Sequence, residues 1–384
     1  MKTEKLYYES AYIKEFEATV ISCESCGGAF SVLLDRTAFF PEEGGQSADG
    51  GKLGGIEVLE VTEDAGVISH ILPEPLAVGS KVIGVLDFAE RLEKMRIHTA
   101  EHILSGIIHE LYGADNTGFH LGRDEVTFDT SRVMEWQELC EVERLANAAV
   151  MANIPVTASF PEPDELSGLE YRSKLELTED VRIVKIGDVD SCACCAPHVN
   201  MTGEIGLIKI VSAVKHRGGS RITMLAGERA YSYVCRVAAE ASRAAVMLSC
   251  PETDFAGELE ARLLKHEAAL YELSGARGEL AEAFAEAQAR TEGNAVIFTG
   301  KLDEEGKRKL VNFAKDKVLG TLVVLSGSEG SYRYVLHSAA LGGEFSALVK
   351  AANEALSGKG GGRPPMAQGI YLASLAEIKA YFGV

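Results

Sequence analysis

From residue 1 to about 88, apolar and polar positions alternate in short runs. Examples are Ala18-Thr19-Val20-Ile21, Phe30-Ser31-Val32-Leu33-Leu34 and Gly66-Val67-Ile68-Ser69-His70-Ile71-Leu72. The runs are β-branched and cut by Gly-rich turns, which predicts short strands, and a small β-barrel or sandwich is their natural packing. At Phe88 the period changes. Ile97, Leu104, Ile107, Ile108 and Leu111 follow helical spacing to about Tyr112. Strand-like and helical pieces then alternate to about residue 230, the pattern of one layered α+β domain. From Ala230 to about Arg290 the residues are nearly all helix formers, interrupted at Pro251. Leu263, Leu270, Leu273, Leu280 and Phe284 stand three, four or seven residues apart there, which suits a helical hairpin or short coiled coil. The last segment alternates again: a strand at Ala295–Thr299, a helix from Lys307 to Val318, a strand at Thr321–Leu325 and a helix from Phe345 to Leu356. The expected fold is thus α+β and multidomain. It comprises a small N-terminal β-barrel (1–88), an α+β domain (89–230), a helical linker (231–290) and a C-terminal α/β module (291–384).

Composition adds exclusions. No stretch approaches 18 consecutive apolar residues, so no membrane span is expected. The N-terminus, Met1-Lys2-Thr3-Glu4-Lys5, leads straight into strand-like residues and does not read as a signal peptide, so the expected compartment is the cytoplasm. A net charge of -19 argues against a broad positive face for nucleic acid. From Gly293 onward, however, 11 Lys and Arg face 8 Asp and Glu, so any RNA-binding surface is expected to be local and is sought there first. Three of the eight cysteines crowd into Cys192, Cys194 and Cys195, which in a cytosolic chain points to metal or redox chemistry.

The sharpest chemical signal is His98-Thr99-Ala100-Glu101-His102. Histidines at i and i+4 project from one helix face, close enough to share a metal. About ninety residues on, Cys194-Cys195-Ala196-Pro197-His198 supplies a Cys-x3-His step on a loop. Together His98, His102, Cys194 and His198 offer three imidazoles and a thiolate, a set that suits one tetrahedral Zn2+. Cys23-x-x-Cys26 has no second pair nearby and reads as incidental, in a hairpin turn before Gly27-Gly28. His70, His109 and His337 read as satisfied core residues.

These motifs resemble the editing domain of alanyl-tRNA synthetases and of free-standing alanyl-tRNA editing proteins, with the threonyl-tRNA synthetase editing domain as a more distant relative. Four further segments carry the likeness. Thr37-Ala38-Phe39-Phe40-Pro41-Glu42-Glu43-Gly44-Gly45-Gln46-Ser47-Ala48-Asp49 is similar to the family's T-x-F-Y-P-x-G-G-G-Q-x-x-D. Asn116-Thr117-Gly118-Phe119-His120-Leu121-Gly122 stands where the family carries its amino-acid pocket. Arg217-Gly218-Gly219-Ser220-Arg221-Ile222 follows, and Lys359-Gly360-Gly361-Gly362-Arg363-Pro364-Pro365-Met366 is similar to the Gly-rich motif of the synthetase C-terminal domain. No segment resembles a class II aminoacylation core, so the likeness is to the long form of the free-standing editors. The family's loop reads Cys-Gly-Gly-Thr-His; here it is Cys-Cys-Ala-Pro-His, stiffer and without the hydroxyl.

The resemblance implies an ATP-independent, zinc-dependent deacylase acting in trans on mischarged, alanine-accepting tRNA, with serine the preferred amino acid and glycine a second. Four protein ligands usually mark a closed zinc. Either His198 or Cys194 gives way, or the coordination expands, or the metal only orients substrate. Thr117 is the candidate for sensing a seryl hydroxyl, and Gln46 is a candidate reaching in from the barrel. Glu101, next to His102, is a candidate base acting from behind the metal ligands, its plainer reading being a solvated charge on an exposed helix. His120 is a candidate substrate contact, its plainer reading structural. Lys215, Arg217 and Arg221 form a basic cluster for the tRNA 3′ end. Gly361 and Gly362 with Arg363 form a backbone-exposing loop for phosphate or RNA. Oligomeric state stays open, a homodimer through the helical linker or C-terminal module being one option. Rival readings are an RNA-binding protein with structural zinc, and a hydrolase of small aminoacyl esters; a phosphoesterase lacks its Asp-His-His motif here.

Overall fold

The alternation of the first segment becomes one long, bent sheet. The computed structural model describes residues 2–122, 125–173, 181–340 and 342–384. Its strands are β1 (Glu15–Cys26), β2 (Ala29–Leu34), β3 (Gly51–Leu53), β4 (Ile56–Glu57), β5 (Glu60–Asp64), β6 (Val67–Leu72) and β7 (Lys81–Leu86), in the order β4-β3-β7-β1-β2-β6-β5. Strand β1 pairs with β7 through Glu15–Thr19 and with β2 through Val20–Cys26, so it belongs to both halves of the sheet. Gly27 and Gly28, at φ +57° and +91°, make the tight turn between β1 and β2, the backbone that only glycine adopts freely. Alternate residues Phe16, Ala18 and Val20 turn inward onto Phe39, Phe40, Leu53, Ile68 and Leu72.

The expected barrel is corrected in one respect. Edge strands β4 and β5 are separated only by Val58 and Leu59, whose amides donate to Gly51 O (2.9 Å) and Ile71 O (2.8 Å). Among the described residues no ladder joins β4 to β5, so the seven strands form an open sheet and not a closed barrel.

Helix α1 (Phe88–Tyr112) begins at Asp87, whose side chain accepts from Glu90 N, and ends at Gly113 in the left-handed region, φ +60°. It lies with α2 (Trp136–Met151) against one face of a four-stranded sheet, β8 (Asn116–Leu121), β9 (Val126–Thr130), β13 (Ile208–His216) and β14 (Gly219–Ala226), ordered β8-β9-β14-β13. A small antiparallel sheet of β10 (Val156–Ser159), β11 (Ile183–Ile186) and β12 (Asp190–Ala193) carries the chain to the cysteine loop. One buried ion pair ties the first sheet to α1. Arg91 donates through Nε to Asp49 (2.8 Å), through Nη2 to Asp49 and Ala38 O, and through Nη1 to Ala11 O. Asp49 also accepts from Phe40 N at 2.6 Å, so the segment from Thr37 to Asp49 is held along its length.

These elements form one compact unit, Met1–Glu240, and Ala241–Val384 forms a second. The chain passes between them within α3 (Gly227–Leu248). The second unit opens with α4 (Phe255–Ala287), where Leu263, Leu270, Leu273 and Leu280 are exposed and only the last turns, with Ala281, Phe284 and Ala285, enter a core. It continues with β15 (Ala295–Phe298), α5 (Glu304–Ala314), β16 (Leu322–Ser328), β17 (Ser331–His337), α6 (Gly342–Ala355), β18 (Lys359–Arg363), β19 (Met366–Tyr371) and α7 (Leu375–Phe382). The sheet order is β15-β16-β17-β19-β18, with the Tyr334 and Tyr371 rings stacked 4.1 Å apart in its core.

The Gly360–Arg363 run is therefore not the expected loop but an edge strand paired with β19. A Cβ on Gly360 would fall 2.4 Å from Gln368 O and from the Tyr334 hydroxyl, and one on Gly362 would fall 2.2 Å from Met366 O. These glycines permit close strand approach; Gly361 alone faces open space. Among the described residues no helix is long and apolar enough to cross a membrane.

Candidate metal centre

Two turns of α1 and the loop after β12 bring four side chains together. His98 and His102 project from one face of α1, and Cys194 and His198 come from the loop. The ligand atoms of all four lie within 4.8 Å of one another. Cys194 Sγ is 3.6 Å from His98 Nε2 and 3.4 Å from His198 Nε2. All three histidines are buried.

Each imidazole is fixed from behind through Nδ1. His98 Nδ1 lies 2.9 Å from Gln46 Oε1, His102 Nδ1 lies 3.0 Å from Asp190 Oδ2, and His198 Nδ1 lies 3.0 Å from Thr99 Oγ1. The last pair settles its own tautomer. Thr99 spends its hydroxyl proton on Met95 O (2.7 Å), so its oxygen accepts from His198 Nδ1–H. With carbonyl and carboxylate oxygens facing the other two rings, all three turn Nε2 toward the Cys194 sulfur. This arrangement of outer partners orients metal-binding histidines in general, and the donor set suits zinc. The cluster can bind a metal ion.

The electrostatics agree. Burial works to raise the Cys194 thiol, but His98, His198 and His102 around it pull it well below its ordinary value, toward the thiolate. Burial drives His198 down to about 3, which keeps it neutral. Burial also works against protonated His102, yet the hydrogen bonds to Asp190 and Cys194 outweigh it and raise that ring. Asp190 feels burial first, but His102 and Arg172 together hold it below the carboxylate range. Arg172 Nε donates to Asp190 Oδ1 at 2.7 Å, extending the chain Arg172–Asp190–His102. Behind it is a cavity of about 870 Å³ lined by Asn116, Tyr171, Arg172, Asp190 and Cys192 among others.

The cysteine loop is anchored independently. Arg182 Nη1 donates to Cys194 O and Ala196 O, both at 2.9 Å, and its guanidinium lies over the Tyr8 ring. Ala196 is fully buried in the core of the first sheet, and Cys194 and Cys195 pack against it. The departure from two glycines thus gives the loop an apolar foothold.

The other candidate residues fall in different places. Gln46 is fully buried beside His98, and its Nε2 has no hydrogen-bond partner among the described residues. Glu101 is not solvated, contrary to expectation: α1 is covered on several sides, and this carboxylate is 3% exposed, accepting from Ser105 and Asn116. Thr117 is exposed in β8. His120 is exposed and lines a cleft of about 790 Å³ with Ser47, Glu90, Lys94 and Arg229, apart from the four ligands. Lys215 and Arg217 are exposed near the tip of the β13–β14 hairpin, whereas Arg221 is committed to Asp129 through two hydrogen bonds of 2.8 Å. Gly361, Gly362 and Arg363 lie on the exposed edge strand of the second unit, outside this centre. His70 is a satisfied core residue, 2.9 Å from Thr37 Oγ1 and 3.2 Å from Val32 O, but His109 is exposed and pairs with Asp115. Thr99, Asp190, Arg172, Arg182 and Phe119, whose ring centroid is 4.9 Å from that of His98, were not picked out by spacing.

Comparison with known proteins places this geometry. Residues 181–225, which carry β11, β12 and the cysteine loop, match the threonyl and alanyl tRNA synthetase second additional domain. The alanyl-tRNA editing protein AlaX-M of Methanosarcina mazei is 39% identical over 243 residues, 58% of this chain and 95% of that protein. The chain belongs to the alanyl-tRNA editing protein family. AlaX-L of Pyrococcus horikoshii is 34% identical over 242 residues, covering 60% of this chain and 59% of its own length. The alanine–tRNA ligase of Pyrobaculum aerophilum is 31% identical over 402 residues, covering 98% of this chain and 44% of the ligase. The likeness to the ligase therefore reaches through the second unit, while the chain spans well under two thirds of either protein.

Proposed function

We propose that this protein hydrolyses the ester of a wrong amino acid, serine before glycine, on tRNA of alanine identity, acting in trans in the cytoplasm with one zinc ion. The observation that carries the proposal is that each histidine of the centre has its Nδ1 held by a separate partner, aiming three Nε2 atoms at the Cys194 sulfur. Bound by His98, His102, Cys194 and His198, zinc would supply Lewis-acid polarisation of the ester carbonyl. The chain's own residues do the remainder. Gln46 turns its unpaired Nε2 to the substrate as a donor for the carbonyl oxygen, a buried donor being costly unless something accepts from it. Thr117 is offered to a seryl hydroxyl from the exposed side of β8. Lys215 and Arg217 hold phosphates near the acceptor end, and Gly361, Gly362 and Arg363 contact RNA elsewhere on the tRNA.

The test is release of serine from Ser-tRNA of alanine identity, compared with correctly charged Ala-tRNA and with the His102→Ala variant. Fast release from the mischarged species alone, lost in the variant, is the expected result. A second reading, a tRNA-binding protein with structural zinc, is favoured by the four-ligand set itself. Absence of release by folded, zinc-loaded protein would establish that reading instead.

A further inference from the structure

Strand β8 contains one residue too many. Asn116 faces Thr130 and Gly118 faces Asp129, so two steps along β8 match one along β9, and Thr117 is the bulged residue. The consequence follows from the two-residue period of a strand. Asn116 points inward, opposite buried Thr130. Strict alternation from Asn116 would send Gly118 and His120 inward and Phe119 outward. The bulge reverses this. Phe119 and Leu121 pair with buried Phe128 and Val126, His120 turns to solvent, and the Phe119 ring comes to rest on His98.

The bulge is locked by a buried polar unit. Asn116 Oδ1 accepts from Gly118 N at 2.8 Å, and Asn116 Nδ2 donates to Glu101 and, at 3.3 Å, to Ser105 Oγ. Ser105 donates to Glu101 in turn. From the other side the Gln46 segment grips the same strand, with Leu121 N donating to Gly45 O at 3.0 Å; a Cβ on Gly45 would fall 2.4 Å from Phe119 O. Phe119 remains half-buried, so part of an apolar ring stays accessible beside a ligand histidine and the Gln46 segment.

We propose that Phe119 is the specificity-determining wall against which the substrate's amino-acid side chain is measured, and that Glu101 is the positioning residue that sets this wall through Asn116 and the bulge. The proposal rests on the deacylase reading and refines its substrate class: seryl, glycyl and alanyl groups fit beside the ring, and β-branched groups do not. Glu101 takes no proton from substrate.

The experiment measures hydrolysis of seryl and valyl esters of one tRNA, together with binding of their non-hydrolysable 3′-amide adenosine analogues. Wild type is compared with Phe119→Ala, Phe119→Leu, Glu101→Gln and Glu101→Ala, with zinc content and melting temperature as folding checks. Phe119→Ala is expected to shift the valyl-to-seryl ratio by about tenfold or more, since one or two methylenes in an apolar pocket discriminate by that order. Phe119→Leu, which keeps the packing, shifts it less. Glu101→Gln retains an acceptor for Asn116 and keeps both rate and selectivity, while Glu101→Ala loses selectivity. An unchanged ratio in folded Phe119→Ala overturns the wall, and loss of turnover with intact selectivity of binding in Glu101→Gln overturns the positioning role in favour of a base. A wild type that hydrolyses neither ester refutes the deacylase reading alone. The amide analogues then decide the wall, and equal binding of both by wild type overturns it.

Discussion

The metal centre of the first unit and the glycine strand of the second solve opposite problems with polar groups. In the centre, imidazoles and carboxylates are buried around a half-buried thiolate, and each ring answers to one outer partner. On β18 the polar groups are backbone atoms on an exposed sheet edge, and Gly361 faces open space. Nearly every buried group here is satisfied before any ligand arrives, Gln46 Nε2 being the exception, so the centre is preorganised. An exposed edge has water as its default partner and can exchange it for whatever docks. The comparison teaches that geometric precision was concentrated around α1, while β18 provides only a close-packed platform.

That contrast can be broken at several points. The largest effect is expected from Cys194→Ser: zinc content of the purified protein falls from one per chain toward zero and deacylation is lost, with tRNA affinity unchanged. A parallel loss of tRNA affinity would mean that the two regions are not separable. Next comes Asp49→Ala, which leaves Arg91 buried without its carboxylate. Breaking such a pair costs roughly 3–5 kcal/mol, read as a lowered melting transition of the first unit. Thr99→Val keeps the shape of the side chain but removes the acceptor for His198 Nδ1. Zinc affinity should fall about 10- to 100-fold by competition with a chelator, and the melting temperature should fall as well, because His198 Nδ1 and Val199 N lose a buried acceptor. The smallest effect belongs to Arg363→Ala, which should weaken tRNA binding modestly and reduce the slope of log affinity against log salt by about one unit.

The sequence made some of this legible and hid the rest for identifiable reasons. His98 and His102 were visible because a four-residue step on a helix has one geometric meaning. Helix α1 runs from Phe88 to Tyr112, where the apolar period put it. Asp190, Thr99 and Arg172 were not visible, because any nearby polar residue can serve as an outer partner and only the fold chooses one. The bulge at Thr117 was hidden for a related reason: an extra residue shows up only against the strand it pairs with. Glu101 was misjudged from its charge, since a carboxylate on a helix is ordinarily solvated, but here the helix has few free sides. The glycine run of β18 was misread because glycine is a poor strand former; the reason for it, close approach to Tyr334 and Met366, lies in residues distant in sequence. That the sheet stays open, with β4 and β5 at unpaired edges, depended on strand order, which alternation does not encode.

Helix α1 has one more consequence. Arg91, His98, Thr99, Glu101, His102 and Ser105 each meet a different part of the first unit: Asp49, Gln46, His198, Asn116 and Asp190 among them. A single helix is thus the common datum from which the whole centre is measured. Each residue of an α-helix advances the side chains by about 100°, so inserting or deleting one residue between Arg91 and Ser105 would swing every later member off its partner at once. In length the stretch is frozen even where individual side chains can vary. The Gly27-Gly28 turn, which meets nothing beyond its own hairpin, is where the chain can grow.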